Sequence, residues 1–101
     1  MRYFFDIEDG VVARDDDGTE VPNAQELSLV AVETIADVMR DRGNAFWNEP
    51  NLSLTVRDHE DLTLLTIQIA GTLAAAFPVS VTELRKAGTR RPRISGLVTP
   101  E

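Results

Sequence analysis

Apolar and polar side chains alternate along residues 2–8, which is typical of a β-strand with one buried face. The dipeptide Asp9-Gly10 follows, and both of its residues tolerate the positive φ that a tight hairpin turn requires. Residues 11–14 then pair back as a short second strand, and a second turn is predicted at Asp15-Asp16-Asp17-Gly18. The side chains on the predicted core face of the first strand are Tyr3, Phe5 and Ile7. The start of the chain therefore predicts a β-hairpin.

The pattern changes to a helical period after Asn23, and residues 24–42 contain no glycine or proline. Asn23 and Glu26 have the spacing of a capping box, and Gly43 supplies a stop at the other end. At steps of 100° per residue, one stripe of the predicted helix contains Leu27, Val30, Ala31, Thr34, Ile35 and Val38. The apolar residues outside that stripe are Leu29, Val32 and Ala36. The apolar arc is therefore wider than contact with a single sheet requires.

A second hairpin is predicted in the middle of the chain. Residues 52–56 alternate between apolar and polar side chains, residues 58–61 are polar and charged, and residues 62–69 resume the alternation. The last of these strands changes phase at Leu64-Leu65. Two explanations stay open at this point: either a β-bulge resets the register, or both faces of the strand are covered.

These elements together predict an α+β fold, in which an antiparallel sheet of two β-hairpins packs on one long helix in the order β-β-α-β-β. The order of the strands in the sheet cannot be read from the sequence. The predicted division is a β-β-α-β-β domain over residues 1–70, an extension over residues 71–88 and a disordered basic tail over residues 89–101. The residues expected to be buried together are Phe5, Ile7, Leu27, Ala31, Val38, Leu54, Val56 and Ile67.

The segments between and after the hairpins have weaker patterns. Residues 44–50 are predicted to be a loop, whose Phe46-Trp47 pair is expected to cap the core rather than to form an exposed anchor. In the extension, residues 72–77 and residues 81–87 have features of short helices, and the sequence leaves open whether they form.

Cysteine is absent from the 101 residues, which excludes disulfide scaffolds, thiol catalysis and cysteine-based metal sites.

The N-terminal residues include acidic side chains where a secretion signal needs an apolar run, so we expect a cytoplasmic protein. No charged residue lies between Leu62 and Thr82, which is long enough to cross a bilayer. Gln68, Pro78 and the strand-like alternation argue against a membrane segment, and none is expected.

Charge is distributed unevenly along the chain. Residues 1–84 carry five arginines against sixteen acidic residues, a net charge of −11, whereas residues 85–101 have a net charge of +4. The basic residues of this second part are Arg85, Lys86, Arg90, Arg91 and Arg93. They are the candidate contacts for an anionic partner such as nucleic acid, although the acidic body opposes that role and the segment has no interleaved aromatic residues.

No residue set predicts catalysis. With Gly18 at the sixth position of a calcium loop, the first and twelfth positions are Ala13 and Ala24, so two required ligands are missing and a turn explains the segment better. His59 is the only histidine, and it lies among acidic residues of a predicted turn, where solvation is the expected state. We therefore expect no catalytic residue, no metal, no cofactor and no enzyme activity.

The opening segment Arg2-Tyr3-Phe4-Phe5-Asp6-Ile7-Glu8-Asp9-Gly10 and the later Asp16-Asp17-Gly18-Thr19-Glu20-Val21-Pro22-Asn23 resemble a family of short alphaproteobacterial proteins of unknown function. Those proteins open with Tyr-Phe-Phe-x-Ile-x-Asp-Gly, pass through Asp-x-x-Gly-x-x-Leu/Val into an alanine-rich helix, and finish with a hairpin. The resemblance covers residues 2–69, and this chain departs from it in a less alanine-rich helix and in the extension from Ala70 onward. It implies the fold and a soluble bacterial setting, and no activity.

The surplus of apolar surface leads to a functional hypothesis. Two apolar patches lie outside the predicted contact between helix and sheet. The first consists of the helix residues outside the main stripe. The second is assigned to the sheet face that points away from the helix and consists of Phe4, Leu62 and Leu64. Monomers rarely leave large apolar patches in water, and the extension is expected to cover only one of the two. We therefore predict a homodimer, acting as a small interaction or regulatory module; the alternative is a nucleic-acid-associated protein that uses the basic tail.

Overall fold

The computed structural model of the chain describes residues 1–86, in which an antiparallel sheet packs against one long helix, so the predicted α+β class is confirmed. The elements in chain order are β1 (Arg2–Glu8), β2 (Val12–Ala13), β3 (Thr19–Glu20), α1 (Ala24–Arg42), a 3-10 helix (Gly43–Asn48), β4 (Asn51–Arg57), β5 (Thr63–Ala70) and α2 (Val81–Lys86). The predicted disordered tail over residues 89–101 lies outside the described residues.

The two hairpins are joined through their first strands. The strand order is β2-β1-β4-β5, and β3 pairs with β1 farther along the edge that also carries β2. The β1–β4 pairing places Phe5 opposite Val56 and Ile7 opposite Leu54. As a result, β1 and β4 are central, and β5 forms one edge of the sheet.

The core lies between α1 and the sheet face that carries Phe5. Its buried members are Phe5, Val21, Leu27, Ala31, Ile35, Phe46, Leu52, Leu54 and Val56. Five of the eight residues expected in the core are buried, and the other three pack against it while only partly buried: Ile7, Val38 and Ile67. Ile67 is less covered because it lies on the edge strand β5.

The helix α1 has the predicted bounds. The Glu26 N–H donates to Asn23 Oδ1 at 2.8 Å, which is the expected N-cap interaction. At the C-terminal end, the Gly43 N–H donates to the carbonyl oxygen of Met39.

A β-bulge explains the change of phase in β5. Val56 lies opposite Leu65 and Arg57 lies opposite Thr63, so Leu64 is an extra residue in β5. The first of the two explanations given by the sequence is therefore confirmed.

One local prediction was wrong. Residues 44–50 were expected to be a loop, but residues 43–48 form a 3-10 helix, which carries Phe46 into the core with the Trp47 ring edge-on to it at 5.4 Å between centroids. Of the two short helices that the sequence left open, only the second forms, as α2; residues 72–77 form a turn, in which the Phe77 N–H donates to Ala74 O. Phe77 directly precedes Pro78, and the residue before a proline is disfavoured in the helical conformation.

The extension folds back onto the 3-10 helix. Its helix α2 packs against residues 43–48, and the chain reaches it through Gly71. A Cβ atom at Gly71 would lie 2.8 Å from Phe46 Cε2 and 2.9 Å from Trp47 Cζ3, so only glycine allows the backbone to pass this close to the two rings. Phe46 and Trp47 cap this end of the core, as predicted.

No helix within residues 1–86 is long and apolar enough to cross a membrane.

Candidate functional site

An aspartate side chain closes a gap in the edge of the sheet beside β1. The strands β2 and β3 each contain two residues and leave the middle of β1 without a strand partner on that side. The Phe5 N–H points into this gap and donates to Asp15 Oδ2 at 3.0 Å. The carboxylate thus replaces the missing strand as the hydrogen-bond acceptor.

The second oxygen of Asp15 organises the turn that follows. Asp15 Oδ1 accepts from the Asp17 N–H at 3.1 Å and from the Gly18 N–H at 3.0 Å. Gly18 has a φ of +77°, and a Cβ there would lie 2.7 Å from Arg2 Cγ, so both the conformation and the space require glycine. The acidic segment is therefore a turn, as predicted. Within residues 1–86, no group of three or more histidine and acidic residues is arranged to hold a metal ion.

Arg57 connects β4 to this turn. Its Nε donates to Asp6 Oδ2 at 2.7 Å, and its Nη2 donates to the carbonyl oxygen of Asp15 at 2.8 Å. Asp6 Oδ1 accepts from the Asp15 N–H at 2.8 Å. The guanidinium group also lies over the Phe4 ring, 4.8 Å from its centroid. These contacts cover Phe4 and fix the turn to the open face of the sheet.

The hydrogen bonds around Asp6 and Asp15 keep both carboxylates ionised. Burial opposes ionisation of Asp6, but the hydrogen bonds from Arg57 and from the Asp15 N–H outweigh it and lower its pKa. Burial likewise opposes ionisation of Asp15, and the N–H groups of Gly18, Phe5 and Asp17 outweigh it, so its pKa is lowered as well. A carboxylate held this firmly accepts hydrogen bonds and is unsuited to act as a general acid near neutral pH.

These pKa shifts predict that the fold loses stability in acid. A carboxyl group whose pKa is lower in the folded state contributes stability that is complete above its unfolded pKa and is lost as the pH falls through the folded value. We expect the free energy of unfolding to fall from about pH 5 downwards. Chemical denaturation at a series of pH values measures this fall. The free energy of unfolding of Asp15→Asn should decrease less steeply with falling pH than that of the wild type. The control variant Asp16→Asn changes an exposed neighbouring carboxylate and should keep the wild-type slope; equal slopes for all three proteins would contradict the assignment.

A polar groove crosses the open face of the sheet. Its volume is about 370 Å³, and it is lined by Glu8, Gly10, Glu49, Asn51, Leu52, Ser53, Gln68, Ile69 and Ala70. Glu8, Ser53 and Gln68 form one row across three strands, because Glu8 pairs with Ser53 and Ser53 pairs with Gln68. The groove holds two carboxylates, Glu8 and Glu49, and its other side chains are neutral.

The outer edge of β5 has no strand partner in the described part of the chain. This eight-residue strand contains no charged residue and no proline. Its core-facing side chains Leu65, Ile67 and Ile69 are only partly buried, whereas Leu52, Leu54 and Val56 of the neighbouring β4 are fully buried. The core is therefore incomplete along this edge.

The family comparison matches most of the chain. DUF6894, described as a domain of unknown function, matches residues 2–70. The chain belongs to this family. Searches against curated proteins and against solved structures gave no significant match. The resemblance noted in the sequence is confirmed as membership of a family of unknown function, and the alphaproteobacterial assignment stays a prediction.

The residues predicted for self-association occupy separate places. Leu29 and Val32 are 52% and 54% exposed on the outer face of α1, where Ala36 is also exposed. Leu62 and Leu64 are exposed at the end of the β4–β5 hairpin. Phe4 does not join them, because Arg57 lies over its ring and separates it from β5. The assumed continuous apolar sheet face is thus interrupted by a charged side chain.

The other candidate residues belong to the β4–β5 turn, to α2 or to the part of the chain outside the described residues. His59 is exposed in the β4–β5 turn, 3.9 Å from Glu60 Oε2. Arg85 and Lys86 belong to α2, outside the region matched by the family. The three remaining basic residues of the proposed anionic contact, Arg90, Arg91 and Arg93, lie outside the described residues.

Two features of this site were missed by the sequence analysis. The Asp6–Arg57 pair joins residues 51 positions apart, and a single sequence carries no signal for that pairing. The β5 edge depends on strand order, which was not predicted. One signal was available for it: Thr63–Ala70 is an uncharged strand in a strongly acidic part of the chain.

Proposed function

We propose that this protein is a small, non-enzymatic interaction module of the bacterial cytoplasm that acts through self-association. The observation that carries the proposal is the unpaired edge of β5 in the described part of the chain, with three core-facing side chains left partly exposed. Exposed, uncharged edge strands are rare in monomeric proteins, which usually protect them with charge, proline or a covering element.

Charge supports the choice of this edge. The chain has a net charge of −7, and two copies therefore repel each other over most of their surfaces. The strand Thr63–Ala70 contributes no charge of its own. Contact between two copies is least costly along such a strand, and the hydrogen bonds of the edge supply a favourable term.

The structural engagement of the two carboxylates with shifted pKa values supports a role in binding. The carboxylates with shifted pKa values, Asp6 and Asp15, are both engaged by backbone N–H groups and one of them also by Arg57. Their hydrogen bonds maintain the turn at the edge of β1 rather than facing the groove. A binding role needs no further chemistry from them.

Sedimentation equilibrium of the wild-type protein over a wide range of concentrations tests the proposal. We expect the average mass to rise from 11.2 kDa at low concentration towards twice that value. A mass that stays at 11.2 kDa at the highest concentration would remove self-association as the function.

The basic residues from Arg85 onward support nucleic-acid binding as a second candidate, because they give residues 85–101 a net charge of +4. Gel-shift measurements at low and at moderate salt separate the two functions. Binding through five phosphate contacts weakens steeply as salt rises, whereas the pairing of an uncharged edge strand does not.

A further inference from the structure

We propose that two copies of the chain join by antiparallel pairing of β5 with β5, about a twofold axis that passes through Ile67. This inference rests on the proposed self-association and specifies its geometry. It would create one continuous sheet across the dimer, with an α1 helix from each copy on the same face. Three observations determine the arrangement: the direction of the free backbone groups of β5, the alternation of its side chains between the two faces of the sheet, and the partly exposed core side chains along its edge.

The backbone groups available on β5 follow from its pairing with β4. The Gly71 N–H donates to Pro50 O at 3.0 Å, and the register is regular from Asn51–Ala70 to Val56–Leu65. Hydrogen-bonded and non-bonded pairs alternate in an antiparallel ladder. The N–H and C=O groups of the odd-numbered residues therefore point to β4. Those of Thr66, Gln68 and Ala70 point away from it, to the open edge.

A twofold pairing about Ile67 satisfies these groups. It places Thr66 opposite Gln68 of the partner subunit as a hydrogen-bonded pair, and the same pair is repeated on the other side of the axis. The pairing stops short of Leu64, because the β-bulge at this residue interrupts the alternation of the backbone groups. The regular overlap extends over five residues, 65–69.

The same register completes the core. Ile67 lies opposite the partner subunit's Ile67, and Leu65 lies opposite the partner subunit's Ile69. All three are side chains of the core face that the single chain leaves partly buried. Apolar pairs at non-hydrogen-bonded positions come close together, so their exposed surface is removed from water when the strands join.

A second copy fits this edge better than an unrelated strand. The edge is free of charge in a chain that is otherwise acidic, so recognition cannot depend on ion pairs with a partner of opposite charge. The sequence from Leu65 to Ile69 is self-complementary, since each apolar residue of the core face meets another one under the twofold operation. The opposite edge lacks these properties, because β2 and β3 are short and Asp15 fills the gap between them.

Charges placed at Thr66 and Gln68 test both the edge and its register. Both side chains are exposed on the open face of the sheet, away from the core. In the variant T66K/Q68K, each Lys introduced at 66 faces a Lys at 68 of the other copy, and the dissociation constant of the dimer should rise at least about tenfold. In the matched variant T66E/Q68K, each Glu faces a Lys, and the dimer should be retained. Circular dichroism and thermal unfolding check that both variants fold like the wild type.

Each outcome in sedimentation equilibrium decides a different point. If the wild type dimerises and T66K/Q68K dimerises equally well, the β5 pairing is wrong while self-association stands, and Leu29→Glu then tests the outer face of α1 instead. If T66E/Q68K dissociates as readily as T66K/Q68K, the twofold register at Ile67 is wrong. If the wild type stays monomeric, the proposed function fails together with this inference.

Discussion

Replacing Phe46 by alanine is expected to lower the free energy of unfolding by about 3–5 kcal/mol, the usual cost of truncating a buried aromatic side chain. Phe46 is only 5% exposed, and its ring contacts both Trp47 and the chain at Gly71. The cavity left by the ring would be bordered by a 3-10 helix and the end of β5, which cannot both move inward without breaking the β4–β5 pairing.

Urea denaturation followed by tryptophan fluorescence measures this loss, because Trp47 is the single tryptophan and lies next to the mutated ring. The matched control is Phe77→Ala, which removes the same group from a side chain that is 42% exposed. Its effect should stay within about 0.5 kcal/mol. Similar values for the two variants would show that Phe46 is not part of the core.

Replacing Leu54 by alanine is expected to cost about 2–5 kcal/mol, from lost burial and from the cavity that remains. Leu54 is fully buried in β4, with Ile7 opposite it on one side and Ile67 on the other. The strands on both sides are fixed by the ladder, so the site can collapse only through side-chain movement. We therefore expect the effect in the upper half of that range.

The control for Leu54 is Leu29→Ala, the same substitution on the outer face of α1. Leu29 is 52% exposed, and its loss should change the free energy of unfolding by less than about 0.5 kcal/mol when measured in dilute protein. A cost below that value for Leu54→Ala would remove Leu54 from the core and overturn the register of β1 with β4.

Local patterns were sufficient for most of the fold. The spacing of Asn23, Glu26 and Gly43 predicted the limits of α1 to the residue, because caps are formed by neighbours in sequence. Alternation predicted β1, β4 and β5 within one or two residues, because the period of a strand is also local. The phase change at Leu64-Leu65 indicated a bulge for the same reason.

Features that depend on distant contacts could not be predicted. The 3-10 helix forms where Phe46 enters the core, and nothing in residues 44–50 alone distinguishes that outcome from a loop. The covering of Phe4 by Arg57 required knowledge that β1 and β4 are neighbours. The open edge of β5 is likewise a property of strand order, and a single sequence does not specify strand order.

If copies of the chain pair along β5 as proposed, the Asp15 carboxylate that takes the place of a strand beside β1 limits the size of the assembly. Chains whose sheets are open at both edges can add to each other repeatedly and form fibres, whereas a chain with one open edge can be joined only once along it. A pair united along β5 would present the Asp15-filled gap at both of its outer margins. Concentrated solutions of the protein should therefore contain a finite species rather than fibres.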